Sequence, residues 1–177
     1  MAAAAKLPGS LVTTEWLAVH LDDPRVRVVD IRGAVTSEDL GGGRQRATYT
    51  GAPERYAVGH IPGSVFVDWT TDIVDPDAEV KAQIAPPDRF AAAMERIGVG
   101  DDSIVVAVDD TGGHLATRLW WALRYYGHVD VAVLDGGFAR WVGEGRQVVR
   151  EIAEVPEASF TPRVRPELRA TLDEVRA

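Results

Sequence analysis

Hydrophobic positions along the chain change period several times, and each change marks an element. Trp16, Leu17 and His20 recur at helical spacing, with Thr13 or Thr14 placed to cap, which predicts a short helix through about Leu21. Val26-Arg27-Val28-Val29-Asp30-Ile31 is rich in β-branched residues and reads as a strand. Gly59-His60-Ile61-Pro62-Gly63 predicts a type II turn, with Pro62 fixing φ and Gly63 supplying the positive φ. Ser64 to Val67 follows as a short strand. Pro86-Pro87-Asp88 opens a helix that Gly98 closes, with Phe90, Met94 and Ile97 on one face. Ile104 to Val108 is apolar without interruption, the mark of a strand buried on both faces. Leu115, Leu119, Ala122, Leu123 and Tyr126 predict a helix from His114 to Tyr126, ending at Gly127. Val129 to Leu134 is another strand, and Asp135-Gly136-Gly137 turns into a short helix over Phe138 to Gly145.

Strands that alternate with helices imply an α/β fold whose parallel sheet is covered on both faces. Two stretches break the pattern. Arg32 to Gly59 is polar and rich in Gly, Arg and Thr, and is expected to be a long loop of the functional or mobile kind. Residues 146–166 hold Pro156, Pro162 and Pro166 with little periodicity, and read as a linker. Thr171-Leu172-Asp173-Glu174 then forms a capping box, the start of a new helix that faintly echoes Thr14-Glu15-Trp16-Leu17. The expected organisation is a domain over 10–147, a linker over 148–169, and over 170–177 the truncated start of a second domain. A terminal helix packing back on the first domain is the alternative.

Composition narrows the function classes. A chain of 177 residues is long enough for a hydrophobic core, and a net charge of −8 argues against nucleic-acid binding. Of nineteen basic residues only Lys6 and Lys81 are lysine, a bias that genome composition explains as well as thermal adaptation. The opening MAAAAKLPGS has no apolar core of signal-peptide length, and no run is long enough to span a membrane. A cytoplasmic protein without membrane contact is the default expectation; an oligomer stays open. The four histidines show no metal-ligand spacing, so neither metal nor cofactor is expected.

There is no cysteine. That removes disulfides, thiolate metal sites and thiol nucleophiles together. The segment Asp109-Asp110-Thr111-Gly112-Gly113-His114 nevertheless sits between a buried strand and a long helix, where an active-site loop is expected. Asp109 reads as a strand-end carboxylate that accepts loop amides and pairs with Arg118, with a functional carboxylate as the alternative. Asp30 and Arg32 lie at the C-terminal end of the first long strand, on the edge where parallel α/β sheets bind ligands. They line a pocket, face a second domain, or form a loop salt bridge. His60 is expected to bond the backbone of its turn, and His114 opens the helix, solvated or beside an anion. Trp120 and Trp121 point about 100° apart on their helix, so both cannot face one core. An apolar patch near either, or near Trp69, would mark an interface. Val108-Asp109-Asp110-Thr111-Gly112 superficially matches the first motif of Asp-nucleophile phosphatases. That motif wants Asp-x-Asp and a downstream lysine, and no lysine follows Lys81.

Five segments in order resemble the rhodanese family of sulfurtransferases. They are Val28 to Arg32, Gly59 to Asp68, Ile104 to Asp109, Ala116-Thr117-Arg118-Leu119-Trp120-Trp121-Ala122-Leu123-Arg124, and Val133-Leu134-Asp135-Gly136-Gly137-Phe138-Ala139-Arg140-Trp141. The resemblance implies a three-layer α/β/α sandwich around a short parallel sheet of about five strands. It is to the N-terminal half of two-domain thiosulfate or 3-mercaptopyruvate sulfurtransferases, in which the second domain carries the catalytic cysteine. Asp109 then stands at about the cysteine position, in a loop one residue longer than the usual catalytic one. On this reading no residue here is catalytic and the loop 109–114 is degenerate. Asp30, Arg32 and Arg118 are pocket or domain-interface residues, and the partner is a cysteine-bearing rhodanese domain. The parent activity moves sulfane sulfur from thiosulfate or 3-mercaptopyruvate to cyanide or a thiol. The alternative is a stand-alone, non-catalytic binding or regulatory module.

Overall fold

A computed structural model describes residues 5–170 and 172–176, the side chains of Leu172 and Asp173 excepted. Its centre is a parallel sheet of five strands: β1 (Leu11–Val12), β2 (Val26–Asp30), β5 (Val65–Phe66), β6 (Ile104–Val108) and β7 (Val131–Leu134). Their order across the sheet is β1-β7-β6-β2-β5. All five residues of central β6 are buried, as its unbroken apolar run requires.

Side chains alternate across a strand, so the sheet divides its apolar residues between two cores. On one face Val29, Val105 and Ala107 pack with Phe90 and Met94 of α3 (Pro87–Arg96) and Leu119 and Leu123 of α4 (His114–Tyr125). On the other, Val28, Val106 and Val108 pack with Leu17 of α1 (Thr14–His20) and Trp141 of α5 (Gly137–Gly143). The result is the expected α/β/α sandwich. Thr13 caps α1 through its hydroxyl, which accepts the Trp16 N–H at 3.1 Å. Strand β1 was not predicted, because two residues carry no periodicity.

The stretch Arg32 to Gly59 corrects the expectation of a loop. It folds into an antiparallel hairpin, β3 (Gly33–Asp39) and β4 (Gln45–Gly51), followed by α2 (Pro53–Val58). The hairpin is exposed on both faces over most of its length, so it lacks the apolar–polar alternation that reveals a half-buried strand. Its tip, Gly41-Gly42-Gly43, has positive φ throughout.

Residues 146–165 carry no helix or ladder strand, yet they lie against the domain. Val149 bridges His60, Phe160 is buried against Phe90, and Arg163 and Arg165 donate their backbone N–H to the carbonyls of Tyr126 and Tyr125 at 2.8 Å each. A one-turn 3₁₀ segment (Pro166–Leu168) and α6 (Leu172–Arg176) follow. Thr171, the predicted capping residue, lies outside the described residues.

Candidate functional site

The C-terminal ends of β2, β6 and β7 point to one edge of the sheet, and the loop after β6 is its centre. The Asp109 carboxylate is 1% exposed and folded back into that loop. Oδ1 accepts the Gly113 N–H at 2.9 Å and, weakly, the Thr111 N–H at 3.3 Å. Oδ2 accepts the N–H groups of Leu115 at 2.7 Å and Ala116 at 3.0 Å, and the Thr111 hydroxyl at 3.0 Å. Gly112 and Gly113, at φ 75° and 89°, turn the chain so that its amides point inward. The first amides of α4 lack helical partners and carry the positive end of its dipole. Here a side chain of the same loop fills that anion cradle.

The loop is braced from behind. The Asp109 carbonyl accepts the Phe138 N–H at 2.8 Å, and a Cβ on Gly137 would fall 2.4 Å from that same oxygen. Glycine at 137 therefore lets α5 close against the loop.

Beside the loop, Asp30 and Arg32 form an ion pair at 2.8 Å, with side chains 2% and 3% exposed. Arg32 also donates to the Gly59 carbonyl at 2.7 Å, and its guanidinium lies 4.0 Å from the centre of the Phe138 ring. Burial pushes the Asp30 carboxyl above its usual range, against the pull of Arg32. Further out, Arg55 pairs with Asp110 and donates to the Gly33 carbonyl at 3.1 Å. Arg32, Arg55, Asp110 and Glu54 border an open cavity of about 740 Å³ whose walls are mostly apolar. Val58 is 69% exposed and Val142 47%, and both line it with Phe138 and Val148. Asp110 Oδ1 is buried there without a hydrogen-bond partner among the described residues.

Of the residues singled out from sequence, Asp109, Asp110, Thr111, Gly112, Gly113, Asp30 and Arg32 come together. His114 is exposed at the first position of α4. Arg118 does not pair with Asp109. It leads away from the loop, donating to the Ala82 carbonyl at 2.6 Å and lying 5.8 Å from the Trp69 ring centre, where burial lowers its pKa. The amides of α4 already satisfy Asp109, and a residue nine positions on faces the hairpin side. Trp69 is buried, and Trp120 and Trp121 are half-buried against the core, so the exposed apolar patch lies at Val58 and Val142 instead. Arg55, Val58 and Val142 were missed. Only Phe138 carried a signal, its place after Gly136-Gly137. His60 is fully buried, with its ring nitrogens against the carbonyls of Tyr56 at 2.8 Å and Glu151 at 3.0 Å. No cluster of three or more potential metal ligands occurs among the described residues.

The chain is 34% identical over 169 residues to the "Sulfur carrier protein TtuD" of Thermus thermophilus, covering 95% of this chain and 52% of that protein. It is 31% identical over 156 residues to the 3-mercaptopyruvate sulfurtransferase of Escherichia coli, covering 88% and 52%. The crystal structure of SseA from Escherichia coli, described among 3-mercaptopyruvate sulfotransferases with the rhodanese fold, superposes with a TM-score of 0.80 at 30% identity. That match covers 94% of this chain and 60% of that one. The chain thus spans about half the length of these curated relatives. The family model for the rhodanese-like domain matches residues 13–144, and the chain belongs to that family.

Proposed function

We propose that this rhodanese domain is the non-catalytic half of a sulfurtransferase, forming one wall of an active site whose nucleophilic cysteine sits on a second rhodanese domain. One observation carries the reading. The amide cradle in which a thiolate or persulfide would be held is filled by the Asp109 carboxylate. A carboxylate cannot store sulfane sulfur, and its charge repels an anionic donor such as thiosulfate. The neighbouring charges Asp30–Arg32 and Asp110–Arg55 are paired and Glu54 adds an exposed carboxylate to the rim, so the cavity beside them suits contact with another surface better than capture of a small anion. Coverage of about half of each relative's length supports a second domain in the parent protein. No helix among the described residues is long and apolar enough to cross a membrane.

In the parent reaction a cysteine thiolate takes the outer sulfur of thiosulfate, releasing sulfite, or the sulfur of 3-mercaptopyruvate, releasing pyruvate, and the resulting persulfide gives that sulfur to cyanide or a thiol as the cysteine thiolate is restored. Thiocyanate formation from thiosulfate and cyanide tests the proposal. The purified chain should give none above a boiled control, and should raise the rate when mixed with a cysteine-bearing rhodanese domain. Thiocyanate from the chain alone would overturn the non-catalytic role. No effect on, and no binding to, such a domain would overturn the active-site wall.

A further inference from the structure

The cavity at the C-terminal edge of the sheet lies between two helices. On α2, Glu54 and Val58 are four residues apart and share a face; on α5, Phe138 and Val142 do the same. All four line the cavity. Its floor joins the two helices, since Arg32 donates to the Gly59 carbonyl at the end of α2 and lies 4.0 Å from the Phe138 ring centre on α5. Val148 closes one side, next to the His60–Val149 bridge, and a Cβ on Gly59 would fall 2.7 Å from its Cγ1.

The charges at this cavity do not balance. Arg32 and Arg55 line it, but each already holds a carboxylate, Asp30 and Asp110 respectively. Arg55 covers one oxygen of Asp110 and leaves Oδ1 without a hydrogen-bond partner among the described residues. Arg150, which donates to the Val58 carbonyl at 3.0 Å, is offset by Glu151. Glu54 is exposed and makes no ion pair among the described residues. The uncancelled charge at the rim is therefore a carboxylate, one helical turn from the exposed Val58.

The complement of such a site is a side chain with a long apolar stem and a cationic head. Arginine suits it better than lysine, because a guanidinium is the more weakly hydrated head and lies flat on apolar and aromatic surface. A small cation would stay largely uncovered in so open a cavity, whereas a built ligand pocket buries 70–90% of its ligand. A second protein surface closes it and covers the exposed valines as well. A second copy of this chain would bring a net charge of −8 against another of −8. A second domain carries no such penalty, and the relatives' extra length leaves room for one.

We propose that the cavity receives an arginine side chain of the cysteine-bearing partner domain. Its stem packs on Val58, Val142 and Phe138, and its guanidinium pairs with Glu54 beside the half-covered Asp110 carboxylate. The contact rests on the reading of this chain as the non-catalytic half, and names what the partner must bring to dock.

Two experiments on the full chain test it. In the first, the isotopically labelled chain is titrated with n-butylguanidinium, and with pentanoate as the anionic control. The guanidinium should shift the amides of Glu54, Val58, Gly59 and Val142 at roughly 10 mM, the affinity that so few non-hydrogen atoms supply. Glu54→Gln should weaken it by roughly twofold to fivefold, as loss of one exposed pair would. In the second, the chain is titrated with the cysteine-bearing rhodanese domain of the mixing assay. Glu54→Lys should weaken that complex by roughly threefold to tenfold, and changing one arginine of the partner domain to glutamate should restore it. If the domain binds and its sulfur transfer rises, but no arginine of it depends on Glu54, the proposal falls and the non-catalytic-half reading stands. If no such domain binds, both fall. No shift from the guanidinium, or equal shifts from pentanoate, would also overturn the proposal. So would probe-free shifts at these amides that grow with chain concentration, which would assign the cavity to a second copy. Glu54 is exposed and unpaired, so its variants keep the fold.

Discussion

Replacing Asp109 by alanine removes the anion from the cradle and leaves its donors in place. Three short bonds are lost, from the amides of Gly113, Leu115 and Ala116, together with the Thr111 hydroxyl bond. Each hydrogen bond to a charged group contributes about 1.5–3 kcal/mol net, and loss of a side-chain cap costs about 0.5–2 kcal/mol. The contributions are not additive here. Thr111 and Gly112 are exposed and water can reach that side of the loop, whereas Leu115 and Ala116 are buried. A destabilisation of about 3–5 kcal/mol follows, a large share of the 5–15 kcal/mol of a typical domain. With a urea slope of about 2 kcal/mol/M, the unfolding midpoint should fall by about 2 M. Tryptophan fluorescence reads it, since Trp69 and Trp141 are buried. Asp110→Ala is the control, because its Arg55 partner is 48% exposed and such pairs contribute about 1 kcal/mol or less. Asp109→Asn should fall between the two, because its amide group would face the Gly113 and Thr111 donors with a donor of its own. A loss for Asp109→Ala under about 1 kcal/mol, or no larger than that of Asp110→Ala, would refute the view that the carboxylate is the loop's internal anion.

Other consequences follow from the same packing. Gly137→Ala forces a Cβ against the Asp109 carbonyl at 2.4 Å from a backbone with φ 57°, and should cost about 2 kcal/mol or more by thermal unfolding; an unchanged Tm would show that α5 is free to move from the loop. His128 is buried, its Nε2 has no partner, and desolvation lowers its pKa from 6.5 in spite of Asp130 and Asp101 nearby. The unfolded chain takes up that proton first, so stability should drop as pH falls below about 6.5, and His128→Gln should flatten the drop; equal pH profiles would refute this. Glu144 is held down to about 2 by the Thr14 hydroxyl, then by Arg146 and Arg140. Its stabilising contribution is therefore present above about 4.5 and lost as pH falls through about 2; Thr14→Val should move the carboxyl NMR titration midpoint upward, and a wild-type midpoint near 4.5 would sink the assignment.

The parts of the fold legible in the sequence are those whose burial is one-sided or complete. β6 announces itself by an unbroken apolar run, and α4 by a stripe from Leu115 to Leu123 that meets one core. The hairpin was invisible for the opposite reason, since solvent reaches both its faces and no alternation survives. The strap over 146–165 was legible as irregular chain but not as packed chain. What fixes it is mostly backbone bonding to Tyr125, Tyr126 and His60, which leaves no mark on side-chain pattern. At the site, the Asp109 loop followed from its place between strand and helix. Its pairing with Arg118 did not, because spacing along a helix says which residues share a face, not which neighbouring element that face meets.

The charges at this sheet edge are arranged to cancel locally. Asp109 neutralises the end of α4, Arg32 neutralises Asp30, and Arg55 covers one oxygen of Asp110. An enzyme's anion site needs the reverse, amides and cations left unpaired until substrate arrives. On the proposed reading, holding the amides in place with a side chain keeps the loop's shape while filling the place an anion would take. What lines the cavity beside them is largely apolar, with Val58 and Val142 exposed and Phe138 half-buried, next to the exposed Glu54 carboxylate and one buried, unpartnered oxygen of Asp110. A surface of that kind gains by covering with a side chain that brings both hydrocarbon and an N–H donor. On the proposed reading free thiosulfate, a dianion, is repelled by the Asp109 and Asp110 carboxylates already there.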